Sequence, residues 1–157
     1  MLIRAYSVRY EFSQRFPIQA DRAFDWCTDY QPSDLSLMNE SGERRIKKIA
    51  DDTVLLTETT HAKRHVIRKS KLVRLNKADL SWTNTHVSGP NLYSQFLYKI
   101  VPDGKRASTL HFTGLLVCYS DRALDSVKLK ELAKNERQAD SKAWRYLAKA
   151  MRKDLRE

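Results

Sequence analysis

From Leu2 to Phe16 the chain alternates. Tyr6, Val8, Tyr10 and Phe12 share one face, and Ser7, Arg9, Glu11 and Ser13 share the other. Successive side chains of a strand point to opposite sides, so this pattern predicts a strand with one buried face. Pro17 ends it. In the following ADRAFDWCTDY, residues Ala20, Phe24 and Trp26 to Cys27 fall at helical spacing, and Asp21 sits where a helix start favours negative charge. Gln31-Pro32-Ser33-Asp34 breaks that helix, and Ser33 or Asp34 is placed to cap a second short one through about Met38.

The period then changes. ERRIKKIA, TVLLTETTH, KRHVIRKSKLVRLNK, DLSWTNTHVS, NLYSQFLYKIVP and RASTLHFTGLLVCYS are six β-rich runs. Asp51-Asp52, Ala62-Lys63, Lys77-Ala78, Gly89-Pro90 and Asp103-Gly104 mark the turns between them. Connections this short require antiparallel neighbours. From Asp121 to Glu157 there is neither Pro nor Gly, and Leu124, Val127, Leu132, Ala139, Ala143, Trp144, Leu147, Ala148, Met151 and Leu155 recur mostly at three- and four-residue steps. That spacing predicts one long amphipathic helix. Its Trp144-to-Leu155 end reads as a core anchor. The stretch around Glu136 and Asp140 carries few apolar groups, so ligand contact is expected there or toward Leu124 to Leu132.

The 157 residues suit one domain spanning 1–157, and no linker or repeat divides them. No apolar run approaches the roughly 20 residues of a membrane helix, so no membrane insertion is expected. The first residues lack the apolar core of a signal peptide. Cys27 and Cys118 are the only cysteines and read as thiols in a reducing cytoplasm. The formal charge of +10 would attract polyanions. Lys63, Arg64, Arg68, Lys69, Lys71, Arg74 and Lys77 have no acidic residue between them, and Arg44, Arg45, Lys47 and Lys48 add to the charge. That stretch carries no stacking aromatic and no nucleic-acid motif, so a solvated convex face is the simpler reading.

The strand-first layout, the Ala20-Asp21, Phe24, Trp26 and Asp29-Tyr30 pattern after it, and the terminal helix together resemble the START/Bet v 1-like superfamily (SRPBCC, polyketide cyclase/dehydrase-type). The resemblance implies an α+β helix-grip fold. A seven-stranded antiparallel curved sheet would wrap around the C-terminal helix, with two short helices after the first strand. Between sheet and helix such proteins usually enclose a cavity for a hydrophobic or amphipathic small molecule.

Several polar residues in the later strands are candidates for that cavity. Glu58 sits among TVLLTETTH. Trp82, Asn84 and His86 alternate on one face, Phe96 and Tyr98 on another, and His111 and Thr113 on a third. An inward imidazole can serve as general acid or base near neutral pH. Glu136 and Asp140, four apart on the long helix, form either a paired-carboxylate site or exposed partners of nearby Arg and Lys. The four histidines lie on four different strands, no metal-ligand spacing occurs, and no Gly-rich phosphate loop is present, so neither metal nor cofactor is expected. The leading reading is non-enzymatic binding or transport of a lipid-like or polyketide-like molecule. One alternative is a cyclase, aromatase or dehydratase using His86, Tyr98 or His111. The other is binding of a polyanion or partner protein through the basic face. The sequence sets no oligomeric state.

Overall fold

Two long antiparallel strands carry one end of the molecule. β1 (Arg4–Phe16) and β7 (Ser108–Ser120) pair along their whole length, with Tyr10 opposite Gly114 and Phe12 opposite Phe112. The structure is a computed structural model that describes residues 2–62 and 64–155, with Ala62 described by its backbone alone. Lys63 of the basic run and the end of the expected long helix beyond residue 155 lie outside the described residues. After β1 the chain forms α1 (Ala20–Thr28) and the single turn α2 (Asp34–Leu37). It continues through β2 (Gly42–Ala50), β3 (Thr53–Ala62), β4 (His65–Asn76), β5 (Ser81–Ser88), β6 (Gln95–Pro102) and β7 to α3 (Ser126–Asp154). The seven strands form one antiparallel sheet in the order β1-β7-β6-β5-β4-β3-β2, so α1 and α2 carry the chain from one edge to the other.

Alternation decides which side chains face the helix. Trp82, Tyr98, Phe112 and Phe12 lie in one row across the inner face, and Asn84, Phe96, Gly114 and Tyr10 in the next. Trp82 stacks on Tyr98 with ring centroids 4.8 Å apart, and Phe12 on Phe112 at 4.4 Å. Offset aromatic pairs at this separation add to the stabilisation from burial alone.

The long helix starts later than its apolar pattern implies. Residues 121–124 are not helical, and Asp125 caps α3 by accepting the Lys128 amide at 2.9 Å. Val127, expected on the buried stripe, is 70 % exposed. Leu147 and Met151 anchor the C-terminal half, Met151 fully buried in a cluster with Phe16, Phe24 and Leu110. Leu129, Leu132 and Ala133 are only partly buried against Val8, Phe12 and Leu116. Among the described residues no helix is long and apolar enough to cross a membrane. Cys27 and Cys118 are free thiols.

Gly114 is where the sheet admits the Tyr10 ring. A Cβ there would stand 2.7 Å from Tyr10 Cζ. Gly114→Ala is therefore expected to displace that ring and to cost about 1–3 kcal/mol, as overpacking does. Urea unfolding would measure the loss, and an unchanged midpoint would contradict this placement of Tyr10.

Candidate functional site

Between the inner face and α3 lie two adjoining lobes. The smaller encloses about 100 Å³ and includes Trp26, Tyr30, Arg44, Leu56, Trp82 and Leu147 in its lining. The larger encloses about 180 Å³ and includes Tyr10, Lys69, His86, Phe96, Phe112, Glu136 and Asp140. Met38, Lys71, Asn84, Tyr98 and Trp144 border both. A wider hollow of about 690 Å³ opens on the surface beside Arg22, Lys105, Arg106 and Arg152, but it has an open, largely polar wall. The two-lobed cavity combines an aromatic wall with a few inward polar groups, the usual composition of a small-molecule site.

A buried ion cluster closes the smaller lobe. Arg44 donates to Glu58 from Nε at 2.8 Å and from Nη2 at 2.6 Å, and its Nη1 reaches Asp34 at 2.9 Å. Lys71 Nζ meets the other Glu58 oxygen at 2.5 Å. These contacts tie α2 to β2, β3 and β4. Burial pushes the Glu58 carboxyl up, but the Lys71 ammonium and the Arg44 guanidinium outweigh it and hold it down at about 2.

The larger lobe has a different balance. Tyr10 donates to Asp140 Oδ2 at 2.5 Å. Burial raises the Asp140 pKa from its ordinary value despite that bond, and burial together with Asp140 raises that of Glu136. Burial and then Lys71 push the Lys69 amine below its ordinary value. Burial, followed by Lys71 and Lys69, lowers His86 to about 4, so its imidazole is neutral at ordinary pH. His86 Nδ1 is buried without a hydrogen-bond partner among the described residues, and one ring nitrogen of the neutral imidazole is an acceptor. Asn84 Oδ1 is likewise buried without a partner among the described residues.

The sheet's pleat sorts the sequence candidates. Trp82, Asn84, His86, Phe96 and Tyr98 line the cavity, as do Glu136 and Asp140 from α3. Glu58 faces inward but is 1 % exposed and sits behind Arg44 and Lys71, where it acts as an anchor. His111 and Thr113 lie on the opposite side of β7 from Leu110, Phe112 and Leu116. His111 is exposed beside Ser13. Their odd-numbered phase turns them away from the cavity. Glu136 and Asp140 face the lobe instead of pairing with Arg137, Lys142 or Lys134. Trp144 and Leu147, expected as core only, border the cavity as well, so ligand-facing positions extend further along α3 than expected.

Sequence reasoning missed Tyr10, Lys69 and Lys71. The two lysines belong to the run expected on a solvated convex face, yet they share alternation phase with the inward Val73 and Leu75 of β4. That phase was the available signal.

No protein-family model matches the chain, and no curated protein sequence matches it. Solved structures do. The chain is similar to the Zhui aromatase/cyclase from Streptomyces sp. R1128, with a TM-score of 0.76 at 8 % identity over 96 % of this chain and 97 % of that one. It is similar to TTHA0849 from Thermus thermophilus, with a TM-score of 0.75 at 12 % identity over 96 % and 100 %. Norcoclaurine synthase from Thalictrum flavum, in complex with dopamine and hydroxybenzaldehyde, aligns with a TM-score of 0.70 at 9 % identity over 98 % and 91 %. Identities this low establish fold alone. The chain has the helix-grip fold of the START/Bet v 1-like superfamily.

Glu58 has a depressed pKa, so its charged form stabilises the fold above its ordinary value of 4.5, and that contribution is lost as pH falls toward about 2. Glu58→Gln strands two buried cations and is expected to cost about 3–5 kcal/mol at pH 7. In urea unfolding the gap from the parent protein should shrink between pH 4.5 and pH 2. A gap of constant size would contradict the anchoring role.

Proposed function

We propose that this protein binds a small amphipathic molecule, built on one or two rings and carrying a hydrogen-bond donor, in the two-lobed cavity. The observation that carries this reading is the pair of buried acceptors, Asn84 Oδ1 and His86 Nδ1, that lack partners among the described residues on an otherwise aromatic wall. An unmatched buried polar group costs about 1–3 kcal/mol, and a ligand hydroxyl or amine placed between them removes that cost. Volume sets the scale. An engineered apolar cavity of about 150 Å³ holds one benzene, so lobes of about 180 and 100 Å³ suit a ring and a substituent or second small ring. A long acyl chain fits this space poorly, which favours a compact, ring-based ligand within the lipid-like or polyketide-like class. Two similar folds support the reading by what they are: an aromatase/cyclase and a synthase holding dopamine and hydroxybenzaldehyde.

A cyclase- or dehydratase-type reaction is the second reading. The observation that favours it is the neutral His86 imidazole facing two carboxyl groups of raised pKa across the larger lobe. His111 has no part in it. Binding of a polyanion through the basic face loses support, because Lys69 and Lys71 are turned inward.

All three tryptophans border the smaller lobe, so intrinsic fluorescence reports occupancy. Phenol is expected to change the emission saturably, and toluene, which lacks the donor, to bind more weakly. His86→Phe should weaken phenol about 5- to 150-fold, the equivalent of one unmatched acceptor. Phenol affinity should be flat from about pH 8 to about pH 5 and fall as His86 is protonated near 4. Equal binding of phenol and toluene would overturn the proposal.

A further inference from the structure

Among the cations that line the cavity, Lys69 is the one without a bonded partner among the described residues. The β3–β4 register sets it directly opposite Glu58, its natural ion partner. Both Glu58 oxygens are already taken, one by Arg44 and the other by Lys71. Lys69 makes no hydrogen bond or ion pair among the described residues, and its side chain borders the larger lobe. Lys71, two residues along the same face, supplies a fixed neighbouring cation. Asp140 and Glu136 border the same lobe from α3, and Tyr10 holds Asp140 in place.

We infer that Lys69 is a carbonyl-capturing amine that forms a reversible imine with an aldehyde or ketone held in the larger lobe. The inference rests on the cavity being a binding site and names the class of ligand it takes. A lysine becomes a nucleophile at neutral pH when it is desolvated or placed beside another cation, because both disfavour the ammonium. Both conditions hold at Lys69, and its amine is shifted in that direction.

The step balances without any redox partner. The Lys69 Nζ lone pair forms a bond to the carbonyl carbon while the C=O π pair moves to oxygen. That oxygen takes a proton that the attacking nitrogen gives up, relayed through the Asp140 or Glu136 carboxyl group. The carbinolamine C–O bond then breaks as the nitrogen's remaining proton passes by the same relay to the leaving oxygen, which departs as water, and the nitrogen lone pair closes the C=N bond. Hydrolysis reverses each step. Asn84 and His86 remain free to accept from a hydroxyl elsewhere on the ligand, so a hydroxylated aromatic aldehyde satisfies the whole lobe.

The test incubates the protein at about pH 7 with 4-hydroxybenzaldehyde and sodium cyanoborohydride, which reduces an imine to a stable secondary amine. Peptide mass spectrometry then locates the hydroxybenzyl group. The expected result is labelling at Lys69 ahead of the exposed Lys130 and Lys134. Lys69→Arg, which cannot form the imine, should lose that label. Labelling of Lys69 no faster than that of exposed lysines, in protein that binds phenol, overturns the imine and leaves the cavity reading intact. Neither label nor phenol response overturns both.

Discussion

One helix cannot cover the concave face of seven strands, and this mismatch shapes the rest of the molecule. α3 packs chiefly along β1, and its C-terminal turns are sealed by Leu147 and Met151. The inner faces of β3, β4 and β5 are left to α1, α2 and the cavity. A fold that filled this space with large apolar side chains would close it. Here Lys69, Lys71, Asn84 and His86 occupy inward positions instead, and two lobes remain. Each polar group placed there needs a partner, because an unmatched one is costly in a low-dielectric interior.

Most of that need is met within the chain. Glu58 offsets Arg44 and Lys71, and its own low pKa records how strongly the two cations hold it. The same cluster fixes the short turn α2 against the sheet, so Met38 and Asp34 are held at the edge of the smaller lobe. Tyr10 and Asp140 satisfy each other across the gap between β1 and α3. What is left over is specific: one amine, two acceptors and the Glu136 carboxyl around a space of ring size. Removing groups that satisfy one another therefore defines the chemistry of the site better than any motif does.

Much of the architecture was legible because each element has one buried face. The alternation of Tyr6, Val8, Tyr10 and Phe12, the change of period after Met38 and the Leu147–Met151 spacing each corresponded to a real element. The cavity was legible in part. Trp82, Asn84, His86, Phe96 and Tyr98 were recognised because aromatic neighbours share their phase. His111 and Thr113 failed because phase on β7 is fixed by Leu110 and Phe112, not by where polar groups cluster. Lys69 and Lys71 were hidden by the charge of the stretch around them, since a run of cations reads as solvated until its apolar phase partners are weighed. The Glu58 anchor depended on which of two lysines wins the carboxylate. That is a side-chain geometry no spacing reports, and it also decides that Lys69 is the one left over.

The most direct measurement of the central claim is a phenol titration followed by ¹H–¹⁵N NMR on labelled protein, reading the three indole N–H signals together with the backbone amides. The account requires the Trp82 and Trp144 indoles and the amides around Asn84 and His86 to move together with one affinity, while outward positions such as His111 and Thr113 stay still. Shifts spread over the convex basic face, with the indoles unmoved, would contradict it.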